Sequence, residues 1–243
     1  MTIALGNMSV NAGIIMTPLL DVPISLQRHA DVVSSLLLAQ LSAQFKFPLA
    51  SQYAERESAY QSVLADLSWT TLHQPYSEQQ GAQSLDVVNV LMTESALLFE
   101  FRIGVAFSNL VSNLQLSAPT DLARKVWREH VVRRIQPVQE PTPDCTGIDE
   151  SVVCIKLALI DSDLLLHTLM LRFVTHTVLA EDFLSQSILT APDSSIGVHG
   201  YTYSLNERMY SQLRETIDEK LMLKRTSLVM PWGSSSSPSV SVG

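Results

Sequence analysis

A run of alternating apolar residues at positions 97–107 restricts the local fold of this chain more than any other stretch. Every odd-numbered position in the run is apolar, whereas the even-numbered positions include charged and small residues. A period of two places one set of side chains on each face of a half-buried β-strand. A β-branched run at 87–92 precedes it, and residues 93–96 between the two runs can form a turn. The sequence therefore predicts a β-hairpin over 87–107.

A second alternating pattern occupies residues 153–173. The apolar positions keep the same parity on both sides of Asp161, Ser162 and Asp163, which are residue types that favour turns. We therefore predict a second β-hairpin. A single long helix over 164–184 is the alternative, because several apolar residues in that range also keep roughly helical spacing. The β-branched residues in the same range favour the hairpin.

Amphipathic helices are predicted around these strands, at residues 25–45, 51–72, 120–135 and 204–224. Each range carries apolar residues at intervals of three or four, which form a single buried stripe on a helix. Ser25 and Thr120 can cap the first and third of these helices. Ser204 and Glu207 have the spacing of a capping box and mark the start of the last helix.

The order of these elements predicts an α+β protein with a mainly antiparallel sheet. Two helix-plus-β-hairpin units, at 51–113 and 120–179, build the sheet, and the amphipathic helices cover it. The similar order of elements in the two units suggests an internal repeat. Both units belong to one predicted α+β domain over 25–232.

The two ends of the chain differ from this central part. Residues 1–24 are uncharged apart from Asp21 and are expected to form an apolar N-terminal arm or short strands. A last edge strand is predicted at 228–230. The Ser-rich residues 233–243 have too few apolar side chains to offset chain entropy, so we expect a flexible tail.

The overall charge argues against several partners. The chain has 243 residues, a 46% hydrophobic content that can supply a sizeable core, and a formal net charge of −8. Nucleic acid and anionic membranes both attract basic surfaces, so we expect neither as a general partner. The first basic residue is Arg28, so the N-terminus lacks the basic segment of a signal peptide, and charged residues interrupt the most hydrophobic region. We expect a cytoplasmic protein or, if it is viral, one in the host cytoplasm or the virion.

No set of side chains predicts a metal, a cofactor or a catalytic residue. His167 and His176 differ in parity and would point to opposite faces of a strand. Cys145 and Cys154 lack two further ligands at suitable spacing, and Asp161 with Asp163 is more typical of a turn than of a cation site. The sequence also contains no phosphate-binding or nucleophile motif. We therefore expect that the protein is not an enzyme. A catalytic site assembled from distant residues is the alternative.

The most unusual charge feature is a basic cluster in the helix predicted at 120–135. The cluster, a candidate partner-binding site, consists of Arg124, Lys125, Arg128, Arg133 and Arg134. It is either a docking face for an acidic protein or an ordinary solvated helix face. Arginine pairs with carboxylates through two parallel hydrogen bonds, which favours a protein partner over a nucleic acid.

These features favour a non-enzymatic structural or assembly subunit that acts through protein–protein contacts. We expect protein partners, including further copies of the chain, in an oligomer or complex. The first alternative is a membrane-active, pore-forming or toxin-like protein, because strands of about ten residues are long enough to cross a bilayer. An enzyme with a dispersed site is the second alternative.

Overall fold

The computed structural model describes residues 5–19, 24–80, 84–117, 119–135, 150–161 and 165–233. Within these ranges the helices are α1 (Leu26–Lys46), α2 (Tyr53–Asp66), α3 (Val87–Leu98), α4 (Phe101–Leu116), α5 (Asp121–Val131), α6 (Glu207–Tyr210) and α7 (Arg214–Leu228). The strands are β1 (Ser9–Asn11), β2 (Ile14–Pro18), β3 (Trp69–His73), β4 (Tyr76–Gln80), β5 (Ser84–Asp86), β6 (Val132–Ile135), β7 (Glu150–Ile160), β8 (Leu165–Thr175), β9 (Ser187–Leu189), β10 (Ser195–Leu205) and β11 (Val229–Pro231).

One large sheet runs through the middle of the molecule. Its strand order is β11-β1-β2-β7-β8-β10-β3, while β4 pairs with β10 beyond the end of β3 and β6 pairs with β7 beyond the end of β2. All these pairs are antiparallel except β2 with β7. Strands β5 and β9 form a separate two-stranded ribbon. The predicted α+β class with a mainly antiparallel sheet is therefore confirmed.

Helices cover both faces of this sheet. The alternate side chains of the strands on one face pack against α3, α4 and α5. Those on the other face pack against α1, α2, α6 and α7. One hydrophobic core thus lies on each side of a single sheet. The fold has three layers, in which the sheet lies between two layers of helices.

The second predicted hairpin is confirmed. Strands β7 and β8 pair continuously from Ser151 with Thr175 to Ile160 with Leu166. The alternative helix over 164–184 is therefore wrong in the described residues. Both faces of these strands are covered by protein, so their apolar residues are denser than in a half-buried strand, which explains the helix-like spacing.

The first predicted hairpin is wrong, because residues 87–107 lie in the antiparallel helices α3 and α4. Asp86 caps α3 by accepting a hydrogen bond from the Asn89 amide at 3.0 Å. A Cβ at Gly104 would lie 3.0 Å from the Ser95 carbonyl oxygen, so this glycine permits close packing of the two helices. With two helices in this place, residues 51–113 lack the hairpin on which the internal repeat depended.

The α4 sequence carries a helical stripe within its alternating pattern. Ile103, Phe107, Leu110 and Leu114 are buried and follow helical spacing. Phe101 belongs to the same odd-numbered set but is 76% exposed. The alternation therefore does not correspond to one buried face.

Several predicted helix boundaries require correction. The helix predicted at 51–72 ends at Asp66, and β3 begins after Ser68, whose positive φ of 68° turns the chain. The helix predicted at 120–135 begins as expected at the Thr120 cap but ends at Val131, where β6 starts.

The predicted capping box is not formed. Ser204 belongs to β10, and Asn206 caps α6 instead by accepting a hydrogen bond from the Met209 amide. A break after Tyr210 then separates α6 from α7.

Short strands lie near both ends of the described part of the chain. Ser25 caps α1, the predicted arm contains the short strands β1 and β2, and β11 lies at the predicted edge position. Residues 1–4, 20–23, 81–83, 118, 136–149, 162–164 and 234–243 lie outside the described residues. The predictions for Cys145, Asp163 and most of the tail fall there.

Candidate functional site

Three neighbouring strands, β7, β8 and β10, dominate the centre of the sheet. Each has 11 residues. Strand β8 lies between the other two and pairs antiparallel with both. These strands are the longest in the described part of the chain, and the chemistry of their two faces differs.

One face of these strands, termed the apolar face, packs against α3, α4 and α5. It carries nine apolar side chains that are at most 2% exposed: Val153, Ile155, Leu157, Leu159, Leu169, Leu171, Phe173, Ile196 and Val198. His167 is the one ionisable residue of these strands with this parity, and it lies near the start of β8. The centre of this face is therefore uniformly hydrophobic.

The opposite face, termed the polar face, carries all three formally charged residues of these strands. Strand parity places Glu150, Lys156 and Arg172 on this side, together with Cys154 and His199. Buried apolar residues such as Ile160 and Leu166 lie on the same side, so the two faces differ in where the charged residues lie and not in the presence of apolar side chains.

Helix α2 compensates the charges of the polar face. Lys156 Nζ lies 2.6 Å from Glu57 Oε2 and 3.7 Å from the centre of the Tyr60 ring. Arg172 lies over the ring of Tyr53, at 4.1 Å from its centre. Cation–π contacts and an ion pair offset the cost of removing these cations from water.

Burial and charge shift the pKa values of groups near the polar face. Burial raises the pKa of Glu57, but the ion pair and hydrogen bond with Lys156 outweigh this effect and keep it below its usual value. Burial raises the pKa of the Cys154 thiol and lowers the pKa of His199. At neutral pH the thiol is protonated and this histidine is neutral.

A charged contact joins the start of α4 to the end of β7. Arg102 donates two hydrogen bonds to the Asp161 carboxylate, at 2.7 and 3.4 Å. Asp161 is buried, and its Oδ2 also lies 3.8 Å from His167 Nε2, while His167 Nδ1 lies 3.0 Å from Thr202 Oγ1. This contact holds the α3–α4 pair against the apolar face.

The turn between α3 and α4 presents apolar side chains to solvent. Leu97 and Phe101 are 73% and 76% exposed. Phe99, which lies between them, is instead buried, and its ring atoms come within 2.9 Å of a Cβ placed on Gly200 of β10. The α3–α4 pair therefore contacts the sheet closely while its tip exposes two large hydrophobic residues.

The basic cluster predicted as a partner-binding site does not form one face. Arg124 pairs with Glu181 at 3.2 Å, and Arg128 donates hydrogen bonds to the carbonyl groups of Leu179 and Ala180. Lys125 and Arg134 are exposed at separate places, on α5 and β6. The docking function of these residues stays a prediction.

Arg133, the fifth residue of the cluster, lies in a cavity between helices α1 and α2 and the edge of the sheet. The cavity has a volume of about 80 Å³, and Arg56, Glu57, Tyr60, Cys154 and Lys156 also line it. Sequence reasoning placed Arg133 on an external helix face because it extended α5 through β6.

Sequence reasoning also missed the charged pairs that organise the site. Glu57 and Lys156 are 99 positions apart in the chain, and Arg102 and Asp161 are 59 apart. Each of these residues is unremarkable within its own segment. Asp161 alone was singled out, as part of a turn.

The described residues contain no group of three or more His, Cys, Asp or Glu side chains that could hold a metal ion. Among the helices that the structure describes, none has both the length and the apolar content needed to cross a membrane.

No protein-family model matches the chain, and no curated protein sequence matches it. Among solved structures, the activated Cyt2Ba monomer from Bacillus thuringiensis subsp. israelensis is 9% identical, with a TM-score of 0.44 over 80% of this chain and 98% of that chain. A structure described as a delta-endotoxin is 8% identical, with a TM-score of 0.44 over 80% of this chain and 81% of that chain. A likeness this weak does not by itself indicate a shared activity.

Proposed function

We propose that this chain is a membrane-active protein in which β7, β8 and β10 insert into a lipid bilayer. The observation that carries the proposal is the separation of charge between the two faces of these strands. All three charged residues lie on the polar face, while the nine apolar residues cover the other face. A strand that contacts lipid on one side and water on the other requires this arrangement.

The length of the strands fits the same function. A tilted strand of about 9–11 residues crosses the hydrocarbon core of a bilayer. Each of the three strands has 11 residues. With the apolar face toward lipid, Lys156 and Arg172 would face water or protein, which avoids the cost of placing a charge in hydrocarbon.

Insertion requires that α3, α4 and α5 leave the apolar face. These helices are amphipathic, and their buried stripes could rest in the membrane interface after they separate from the sheet. The exposed side chains of Leu97 and Phe101 at the tip of the α3–α4 pair provide a first apolar contact with a bilayer.

Inserted strands also require partners at their edges, because unpaired backbone groups are costly in hydrocarbon. Self-association of several copies would supply these backbone hydrogen bonds, because the edge strands of neighbouring copies pair with each other. No other protein is then needed. The proposal thus favours the membrane-active alternative over a purely structural subunit, while it keeps the expectation that the chain forms an oligomer.

A reversible disulfide tests the separation of the helices from the sheet. Ser84 Oγ in β5 lies 2.9 Å from Ser187 Oγ in β9, so cysteines at both positions are close enough to form a disulfide. This disulfide would fix the start of α3 against the segment that leads into β10. The assay measures dye release from lipid vesicles by the full chain.

We expect the wild-type protein to release dye and the oxidised Ser84→Cys/Ser187→Cys variant to release it at least about tenfold more slowly. Reductant should restore the wild-type rate. The single Ser84→Cys variant, which retains the native cysteines, should be insensitive to oxidation. Failure of the wild-type protein to release dye, or equal rates for the oxidised and reduced double variant, would overturn the proposal.

A further inference from the structure

The cavity that contains Arg133 has an unbalanced positive charge. Arg56, Arg133 and Lys156 line it together with a single carboxylate, Glu57. Glu57 already pairs with Lys156 at 2.6 Å. The charges of the two arginines are therefore left without a compensating anion from the cavity lining.

Neither arginine forms an ion pair within the described part of the chain. Arg56 donates hydrogen bonds only to neutral backbone acceptors, the carbonyl groups of Phe47 and Leu49, at 3.0 and 2.6 Å. Burial lowers the pKa of Arg133, and the nearby charge of Arg56 lowers it further. Two guanidinium groups thus repel each other in a partly dry environment.

Two hydrogen-bond donors in the cavity lining lack acceptors. Arg133 Nε and the Tyr60 hydroxyl group are inaccessible to solvent and have no hydrogen-bond partner among the described residues. Tyr60 is 3% exposed. Buried polar groups in proteins are almost always hydrogen-bonded, so two unpaired donors on residues that line the same cavity point to an acceptor that the described residues do not supply.

We propose that this cavity binds a phosphate group, which accepts hydrogen bonds from Arg133 and Tyr60 and balances the charge of Arg56. A tetrahedral oxyanion offers acceptors in several directions, which suits donors that approach from both α2 and β6. Arginine is the side chain best suited to such an anion because its guanidinium group donates two parallel hydrogen bonds. This site does not depend on membrane insertion.

Calorimetric titration of the full chain with inorganic phosphate, at constant ionic strength, tests the site. Tyr60→Phe removes one donor but keeps the ring that contacts Lys156, so it should fold and should weaken phosphate binding severalfold. Arg133→Met should weaken it by at least about tenfold. Arg134→Met changes the adjacent exposed arginine of β6 and should bind phosphate like the wild-type protein.

The phosphate group could come from a free anion or from a lipid headgroup, and two arms of the experiment separate these sources. Saturable binding of inorganic phosphate that both cavity variants weaken indicates a free anion. If inorganic phosphate does not bind, vesicles with phosphatidic acid are compared with vesicles of a phosphate-free galactolipid. A preference for phosphatidic acid that Tyr60→Phe and Arg133→Met reduce, and Arg134→Met does not, indicates a headgroup.

The proposal is overturned if neither source binds, or if Tyr60→Phe and Arg133→Met bind as tightly as Arg134→Met. Dye release by the wild-type protein is measured separately. Loss of phosphate binding with intact dye release would contradict only the cavity site, whereas the converse would contradict only membrane insertion.

Discussion

At the scale of single residues, Arg102 and Asp161 connect the helical cover to the strands. Asp161 follows the last residue of β7, and its amide donates a hydrogen bond to the Leu165 carbonyl group at 2.9 Å, which closes the β7–β8 hairpin. Arg102 lies in the first turn of α4. Under the proposed function, this pair links a helix that leaves the sheet to a hairpin that enters the membrane.

Removal of this guanidinium group should destabilise the protein and accelerate the dye release expected from the proposed function. Arg102→Met leaves the buried Asp161 carboxylate without its bidentate partner, which we expect to cost about 2–3 kcal/mol in the free energy of unfolding measured with urea. Dye release should become faster, because the α3–α4 pair separates more readily. Arg124→Met, which breaks a pair with the exposed Glu181, is the control and should cost less than about 1 kcal/mol. Slower dye release by Arg102→Met would contradict the assigned role of the pair.

At the scale of secondary-structure elements, the sequence predicted β7, β8 and α1 correctly but assigned a β-hairpin to the residues of α3 and α4. Strands β7 and β8 keep period-two alternation because their charged residues are confined to one face, and this pattern is visible locally. The same pattern in α4 is misleading. Its buried residues follow a helical stripe, and exposed Phe101 happens to complete the odd-numbered set.

The contacts that favour helices at 87–116 are not local. Gly104 matters because the Ser95 carbonyl group lies beside it, and the buried side chains of α3 and α4 share one hydrophobic core with the sheet and with α5. Short apolar runs are ambiguous by period alone, so tertiary packing decides between strand and helix. The same reason explains why Arg133 was misplaced, since the end of α5 is set by the pairing of β6 with β7.

Little of the candidate site could be predicted from the sequence. The alternating apolar residues of β7 and β8 and the turn residues at Asp161 are recognisable in the sequence. The partners Glu57 and Arg102 were not, because an ion pair between distant segments has no signature in either segment. For β10, the third strand of the site, the sequence suggests only a short strand at residues 201–203.

At the scale of the whole molecule, the buried His167 and the half-buried His29 and His199 make stability depend on pH. Burial lowers the pKa values of His29, His167 and His199 below their ordinary value of 6.5. For His167, Asp161 and Glu100 oppose this effect and Arg102 adds to it, with burial dominant. The unfolded chain therefore binds protons at higher pH than the folded chain does, so stability is lost as the pH falls below 6.5.

We expect the unfolding temperature to fall between about pH 7.5 and about pH 5, with each histidine contributing at most about 1.4 kcal/mol per pH unit. His167→Gln should reduce the fall in unfolding temperature per pH unit, because it removes one of the three histidines. Differential scanning calorimetry at several pH values measures it. An unfolding temperature that is constant or rises as the pH falls over this range would contradict the assignment of neutral histidines in the folded chain.

Membrane insertion of the central strands is tested most directly by scanning β8 with a spin label. Residues 168–173 are changed to cysteine one at a time in a Cys145→Ser/Cys154→Ser background, labelled and bound to vesicles. Oxygen, which concentrates in lipid, and a polar relaxation reagent, which stays in water, then report the surroundings of each label.

If β8 inserts, oxygen accessibility is highest at Leu169, Leu171 and Phe173. Accessibility to the polar reagent is then highest at Thr168, Met170 and Arg172. Positions of the apolar face would then contact lipid while their neighbours face water or protein. A profile without a period of two, or one unchanged from the protein in the absence of vesicles, would contradict the insertion of β8.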